Sequence, residues 1–200
     1  MKNQKSKSQK VAVLGMLTAV TVVLQLISYT VKIGTFNLSL VLIPIVVSGC
    51  LYGPYISGYL GAVFGAVTVI GCVSGIDAGG YILFTASPFL TVLTCMLKGT
   101  LCGILCGTVA KALRSKKGGL LSVVIPAVVA PVTNTGIFIL MMILCFTSTL
   151  YEWAGNTNAV TYILTGLIGV NFLIELFINV FLSPVILRVI KALSKTNREF

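Results

Sequence analysis

The sequence predicts an all-α integral membrane protein with six transmembrane helices and cytoplasmic N and C termini. Three observations carry that prediction. Of 200 residues, 57% are hydrophobic and only 9% charged, where a soluble domain carries roughly 25% charged residues. The apolar residues fall in runs long enough to cross a bilayer. Twelve of the fourteen Lys and Arg residues cluster at three places that an even-spanning chain puts on one side of the membrane.

The elements follow in order. Residues 1–9 form a basic cytoplasmic tail, 10–193 the membrane domain and 194–200 a second basic tail. Helix 1 is expected from about Lys10 to Tyr29. Its apolar run is too long for the h-region of a signal peptide, and no small-x-small cleavage site follows it. A loop with Gly34 and Asn37 leads to helix 2, about Leu38 to Leu51, interrupted by Pro44 and ended by Gly53-Pro54. Helix 3 runs from about Tyr55 to Ile70, and the Gly- and Ser-rich segment 71–88 reads as a long, partly re-entrant loop. Helix 4 covers 90–114, roughly 38 Å at about 1.5 Å per residue. Helix 5 covers about Leu120 to Phe146 with Pro126 and Pro131 inside it; a polar loop with Tyr151 and Trp153 follows, then helix 6 from about Ala159 to Ile190.

Charge orients these spans. Lys2, Lys5, Lys7 and Lys10 precede helix 1; Lys111, Arg114, Lys116 and Lys117 sit at the helix 4–5 turn; Arg188, Lys191, Lys195 and Arg198 close the chain. The positive-inside rule then places both termini in the cytoplasm, leaving Lys32 and Lys98 as the exceptions. The net charge of +10 is a topology signal, split among short membrane-edge segments, and argues against a nucleic-acid partner.

Lys98 is the exception that matters. A lysine at that depth costs about 3 kcal/mol on insertion scales, a cost met by a polar cavity, a counter-charge or a ligand. Asn134 near the middle of helix 5 and Asn171 of helix 6 share its layer. Glu175 and Asn179 follow Asn171 on one helix face at i+4 and i+8. Two readings stay open: a Lys98–Glu175 ion pair fastening the helices, or a water-accessible ligand pocket lidded by 71–88. They can coexist.

Reaction chemistry is not expected. His is absent, and Glu175 alone of the four acidic residues lies in an apolar span. No HExxH, nucleophile–base pair or phosphate-binding loop appears, so the chain is not read as an enzyme, and no cofactor or metal is expected. The six cysteines read as small packing residues, with all but Cys72 placed in apolar segments. Small residues stripe helix 1 (Ala12, Gly15, Ala19), helix 3 (Gly58, Gly61, Ala62, Gly65, Ala66) and helix 4 (Gly99, Gly103, Gly107). In lipid such stripes permit close helix approach. Internal packing suits helices 3 and 4, whereas helix 1 suits a membrane partner equally well.

With these features in order, the chain resembles the substrate-binding (S) components of energy-coupling factor (ECF) vitamin transporters. The resemblance covers about residues 10–193. It rests on the six-helix layout, the Gly15-xxx-Ala19 pair, LIPIVVSGCLYGP, GYLGAVFGAV, the SGIDAGG…SP segment and LKGTLCG, in that order. It implies an S-component-like bundle in a bacterial cell membrane. The helix 1 stripe (Ala12, Gly15, Ala19) would contact the transmembrane coupling (T) protein, with Gly15 where alanine is more usual, and two cytoplasmic ATPases would complete the importer. It further implies a vitamin site near the outer face involving Phe36, Tyr81, Phe84, Lys98, Asn134 and Asn171, to which the polar layer adds Glu175. The pantothenate-type branch is favoured. Riboflavin is next, since Tyr81 and Phe84 could stack on a flat ring. Readings from other classes are a stand-alone secondary carrier using Glu175, or a structural membrane subunit with no ligand.

Overall fold

The computed structural model describes residues 2–30, 32–33, 36–37, 39–116, 119–155, 158–163, 165 and 169–196; the side chains of 2–10, 32–33, 36–37, 114–116, 159, 170 and 192–196 are outside the description. The chain runs α1 (Lys2–Ser28), β1 (Lys32–Ile33), β2 (Phe36–Asn37), α2 (Leu42–Tyr52), α3 (Pro54–Ser74), α4 (Ala78–Ala86), α5 (Pro88–Lys116), α6 (Leu121–Cys145), α7 (Thr147–Ala154), α8 (Ala159–Tyr162) and α9 (Gly169–Thr196). The β1–β2 pair is a two-rung antiparallel ladder, Lys32 opposite Asn37 and Ile33 opposite Phe36, in the loop after α1.

Among the described residues, α1, α3, α5, α6 and α9 are long and apolar enough to cross a membrane. Their outer faces carry large exposed apolar side chains, among them Val23, Leu26, Leu144, Phe177 and Phe181, the pattern of a surface that meets lipid rather than water. At 11 residues α2 is about 16 Å long and does not span a bilayer by itself. Pro44 does not interrupt it. That residue lies in the first turn, where a backbone N–H would have no helical partner.

The main core is made of Val41, Leu42, Ile45, Leu60, Phe64 and their buried neighbours on α5, α6 and α9. Along it α3 and α5 touch backbone to backbone. A Cβ added at Gly61 would run into the Gly99 carbonyl oxygen, and one at Gly103 into the Ser57 carbonyl oxygen. The glycines of these two stripes are therefore internal packing positions, whereas Ala66 of the helix 3 stripe is exposed. In α6, Pro126 and Pro131 each remove an N–H from the helical ladder. Thiols donate to carbonyls along the same helix: Cys102 Sγ to Ala130 O at 3.2 Å and Cys106 Sγ to Pro126 O at 3.5 Å.

Two expected elements differ. Segment 71–88 is not a long loop: α3 continues to Ser74, Gly75 caps it at φ 75°, and α4 follows. Asp77 starts α4 as N-cap, Oδ1 accepting from Gly80 N at 3.2 Å. Two of the glycines that suggested a loop are there for packing: a Cβ at Gly71 would collide with Tyr29 Oη, and one at Gly80 with Cys72 Sγ. Cys72 accordingly sits inside apolar α3 and is buried. The segment with Tyr151 and Trp153 is also helical, as α7, whose Leu150 packs on Met142 and Phe146. Of the span expected as helix 6, α8 (Ala159–Tyr162) and α9 (Gly169–Thr196) are described, and residues 164 and 166–168 between them lie outside the described residues.

Candidate ligand site

The cavity lies at the end of the bundle where α1 and α3 finish and α5 and α9 begin. Its volume is about 90 Å³, several times the roughly 10–15 Å³ that one water needs. Lys98, Asn134, Asn171 and Glu175 all line it. Four polar positions scattered over some eighty residues of sequence are thus brought to one hollow. Asp77, Gly80 and Leu83 of α4 close over it at i, i+3 and i+6. A second hollow, bounded by Leu14, Leu17, Tyr52 and Ile56, has a nearly all-apolar wall and no buried charge.

Charge in the first cavity is arranged without a direct ion pair among the described residues. The Lys98 ammonium lies 5.3 Å from the Phe138 ring centroid and 5.9 Å from that of Phe64. Aromatic faces stabilise a cation by about 0.5–1 kcal/mol at partly exposed sites. Glu175, 5% exposed, is engaged elsewhere: its Oε1 accepts from the Ser39 backbone N–H at 2.6 Å. That bond ties the segment before α2 to α9, and Glu175 makes no direct ion pair with Lys98 among the described residues. Deeper on the same face, Asn179 Nδ2 donates to Glu175 O at 2.8 Å and Ser183 Oγ to Asn179 O at 2.9 Å.

The aromatic expectations fare differently. Tyr81 is 47% exposed and Phe84 is half-buried, and neither lines the cavity. Helix formation by α4 turns the stripe at 77, 80 and 83 inward and leaves Tyr81 outside it. Phe36 is in β2, but its side chain lies outside the described residues. The rings that do border the hollow, Phe64, Phe138 and Phe172, are in spans, where an apolar aromatic gives no sign of its role.

Gln25 of α1 was missed. It is 4% exposed and lines the cavity, with Nε2 donating to Thr68 Oγ1 at 3.4 Å. The signal was present, since an amide inside an apolar run is the feature that singled out Asn134. Beyond it, Tyr29 Oη donates to Val67 O at 2.9 Å. Burial pushes the Tyr29 phenol up to about 12, with the Gln25 amide beside it pulling the other way. Cys72 Sγ and Cys95 Sγ lie 4.0 Å apart on the cavity wall.

The helix 1 stripe faces outward. Ala12, Gly15 and Ala19 are exposed, and a Cβ added at Gly15 would meet nothing within 4 Å.

No individual curated protein sequence matches the chain. The profile of a protein family, described as ECF transporter, substrate-specific component, matches residues 9–187. That match takes in α3, α5 and α6 whole, most of α1 and α9, and every described residue of the cavity wall. The chain therefore belongs to the family of substrate-specific components of ECF transporters, and is a membrane-embedded transport subunit.

Proposed function

We propose that the chain captures a small vitamin from outside the cell and presents it for import, binding it without chemical change. The observation that carries this reading is the Lys98 ammonium, which borders a polar hollow under α4 and has aromatic rings but no described carboxylate in contact with it. Such a cation suits a ligand carboxylate, with Asn134, Asn171 and Glu175 set around the same hollow.

Pantothenate is the favoured ligand, being a small polar carboxylate. Riboflavin loses its main support, because the two aromatic residues expected to stack on it stand outside the cavity wall. The basic clusters support cytoplasmic termini, with α2 as a short sixth membrane segment and the hollow opening to the exterior of a bacterial cell membrane. The outward face at Ala12, Gly15 and Ala19 supports docking of the coupling protein, with two ATPases supplying the energy. Isothermal titration of the purified protein against a vitamin panel tests the reading. Saturable binding of pantothenate in preference to riboflavin is expected; a protein that takes up no member of the panel is not a vitamin-capture subunit.

A further inference from the structure

The Gln25 amide is held in one orientation by its neighbours. Thr68 Oγ1 donates its only proton to Phe64 O at 2.9 Å, and Tyr29 Oη donates its own to Val67 O at 2.9 Å. Both oxygens then have only lone pairs left to offer. The end of the amide that meets Thr68, and that lies beside Tyr29, must be the NH₂ group, as observed. Turning it over would set oxygen against oxygen. Gln25 Oε1 is left as a buried acceptor with no partner among the described residues, on a side chain that borders the cavity. Asn134 Oδ1 is likewise unpartnered, but no hydrogen bond among the described residues holds that amide one way round.

We infer that Gln25 is a specificity-determining residue of the cavity, its Oε1 a fixed acceptor that reads a hydroxyl or amide N–H on the ligand. The inference rests on the vitamin-capture reading and narrows it. The ligand must carry an anionic group for Lys98 and, at a separate point, a hydrogen-bond donor for α1. A molecule presenting only acceptors or apolar atoms there leaves a buried carbonyl desolvated and unpaired, and is rejected for that reason.

The test is a double-mutant cycle read by titration calorimetry. The protein partner is Gln25→Met, close in shape but with no acceptor oxygen. The ligand partners are pantothenate, its two analogues with one hydroxyl replaced by hydrogen, and its ester analogue with oxygen in place of the amide N–H. Gln25→Met should weaken pantothenate roughly tenfold, the size of one hydrogen bond lost to an unpaired group. One of the three analogues should lose a similar factor on the wild type and nothing further on the variant. The unliganded melting temperature should hold or rise, because an unpaired buried carbonyl is removed. Equal pantothenate binding by variant and wild type overturns the assignment. So does a uniform loss for all four ligands accompanied by a lower unliganded melting temperature, the mark of a merely structural role. A wild type that binds no panel vitamin overturns this inference together with the reading beneath it.

Discussion

Helices α3 and α5 meet in two ways along their length, and the contrast explains where a site can form. From Pro54 to Gly65, facing Cys95 to Gly107, the helices touch through glycines, and an added methyl group would strike backbone: the Cys95 carbonyl oxygen from Gly65 at 2.6 Å, Pro54 Cα from Gly107 at 2.6 Å. Towards the other end Phe64, Thr68 and Cys72 on α3, and Thr91, Cys95 and Lys98 on α5, border the cavity instead. Lipid offers no hydrophobic drive to press helices together, so the dry half depends on dispersion across a very close contact. The polar half could not be packed that way. Its buried amides, carboxylate and ammonium need partners, and a hollow open to water or ligand supplies them.

Filling the dry seam should have the largest effect. Gly61→Leu forces side-chain atoms into the Gly99 carbonyl and should cost about 3 kcal/mol or more by overpacking; thermal unfolding in detergent checks it. A wild-type melting temperature would mean that the two helices are not in backbone contact. Lys98→Met probes the polar half with the opposite signature. Binding should weaken by tenfold or more, since hydrogen bonds to charged groups are worth about 1.5–3 kcal/mol. The fold loses only ring contacts of about 0.5–1 kcal/mol and is relieved of a cation in an apolar span, so the unliganded protein should melt at or above the wild-type temperature. Equal losses in binding and stability would restore the view that Lys98 fastens the helices.

The smallest effect concerns the edge of the polar half. Burial raises the Tyr29 phenol from the usual 10 to about 12 in the folded protein. A raised acid binds its proton more tightly when folded, so this stabilisation is fully present below pH 10 and is lost as pH climbs from 10 towards 12. Melting temperature against pH across that window should fall for the wild type and fall less steeply for Tyr29→Phe. The variant itself gives up the bond to Val67 O, about 1 kcal/mol, at neutral pH. Parallel curves would show that Tyr29 is not buried against α3 as described.

Much of the cavity wall was visible in the residues because a polar group in an apolar run stands out without any structure. Lys98, Asn134, Asn171 and Glu175 were found that way, and Gln25 should have been. Lining residues of other kinds left no such trace. Thr91 and Thr94 resemble ordinary helical threonines, and their hydroxyls return to carbonyls four residues back at 2.9 Å and 2.7 Å. Phe64 and Phe138 look like lipid- or core-facing rings until their neighbours are known. Tyr81 and Phe84 were overvalued because a segment read as a loop can point any side chain inward, whereas a helix presents only one face.

From the residues alone came the membrane class, the main apolar helices, the charge asymmetry and the polar layer, because hydropathy and charge are summed locally along the chain. Folding in three dimensions decided the rest: that α4 is a helix, that Glu175 accepts from Ser39, and that the Gln25 amide points one way. Each depends on atoms supplied by distant stretches of chain. Gly80 fits only because Cys72 is beneath it, and Gln25 is oriented only because Thr68 and Tyr29 have already given their protons away.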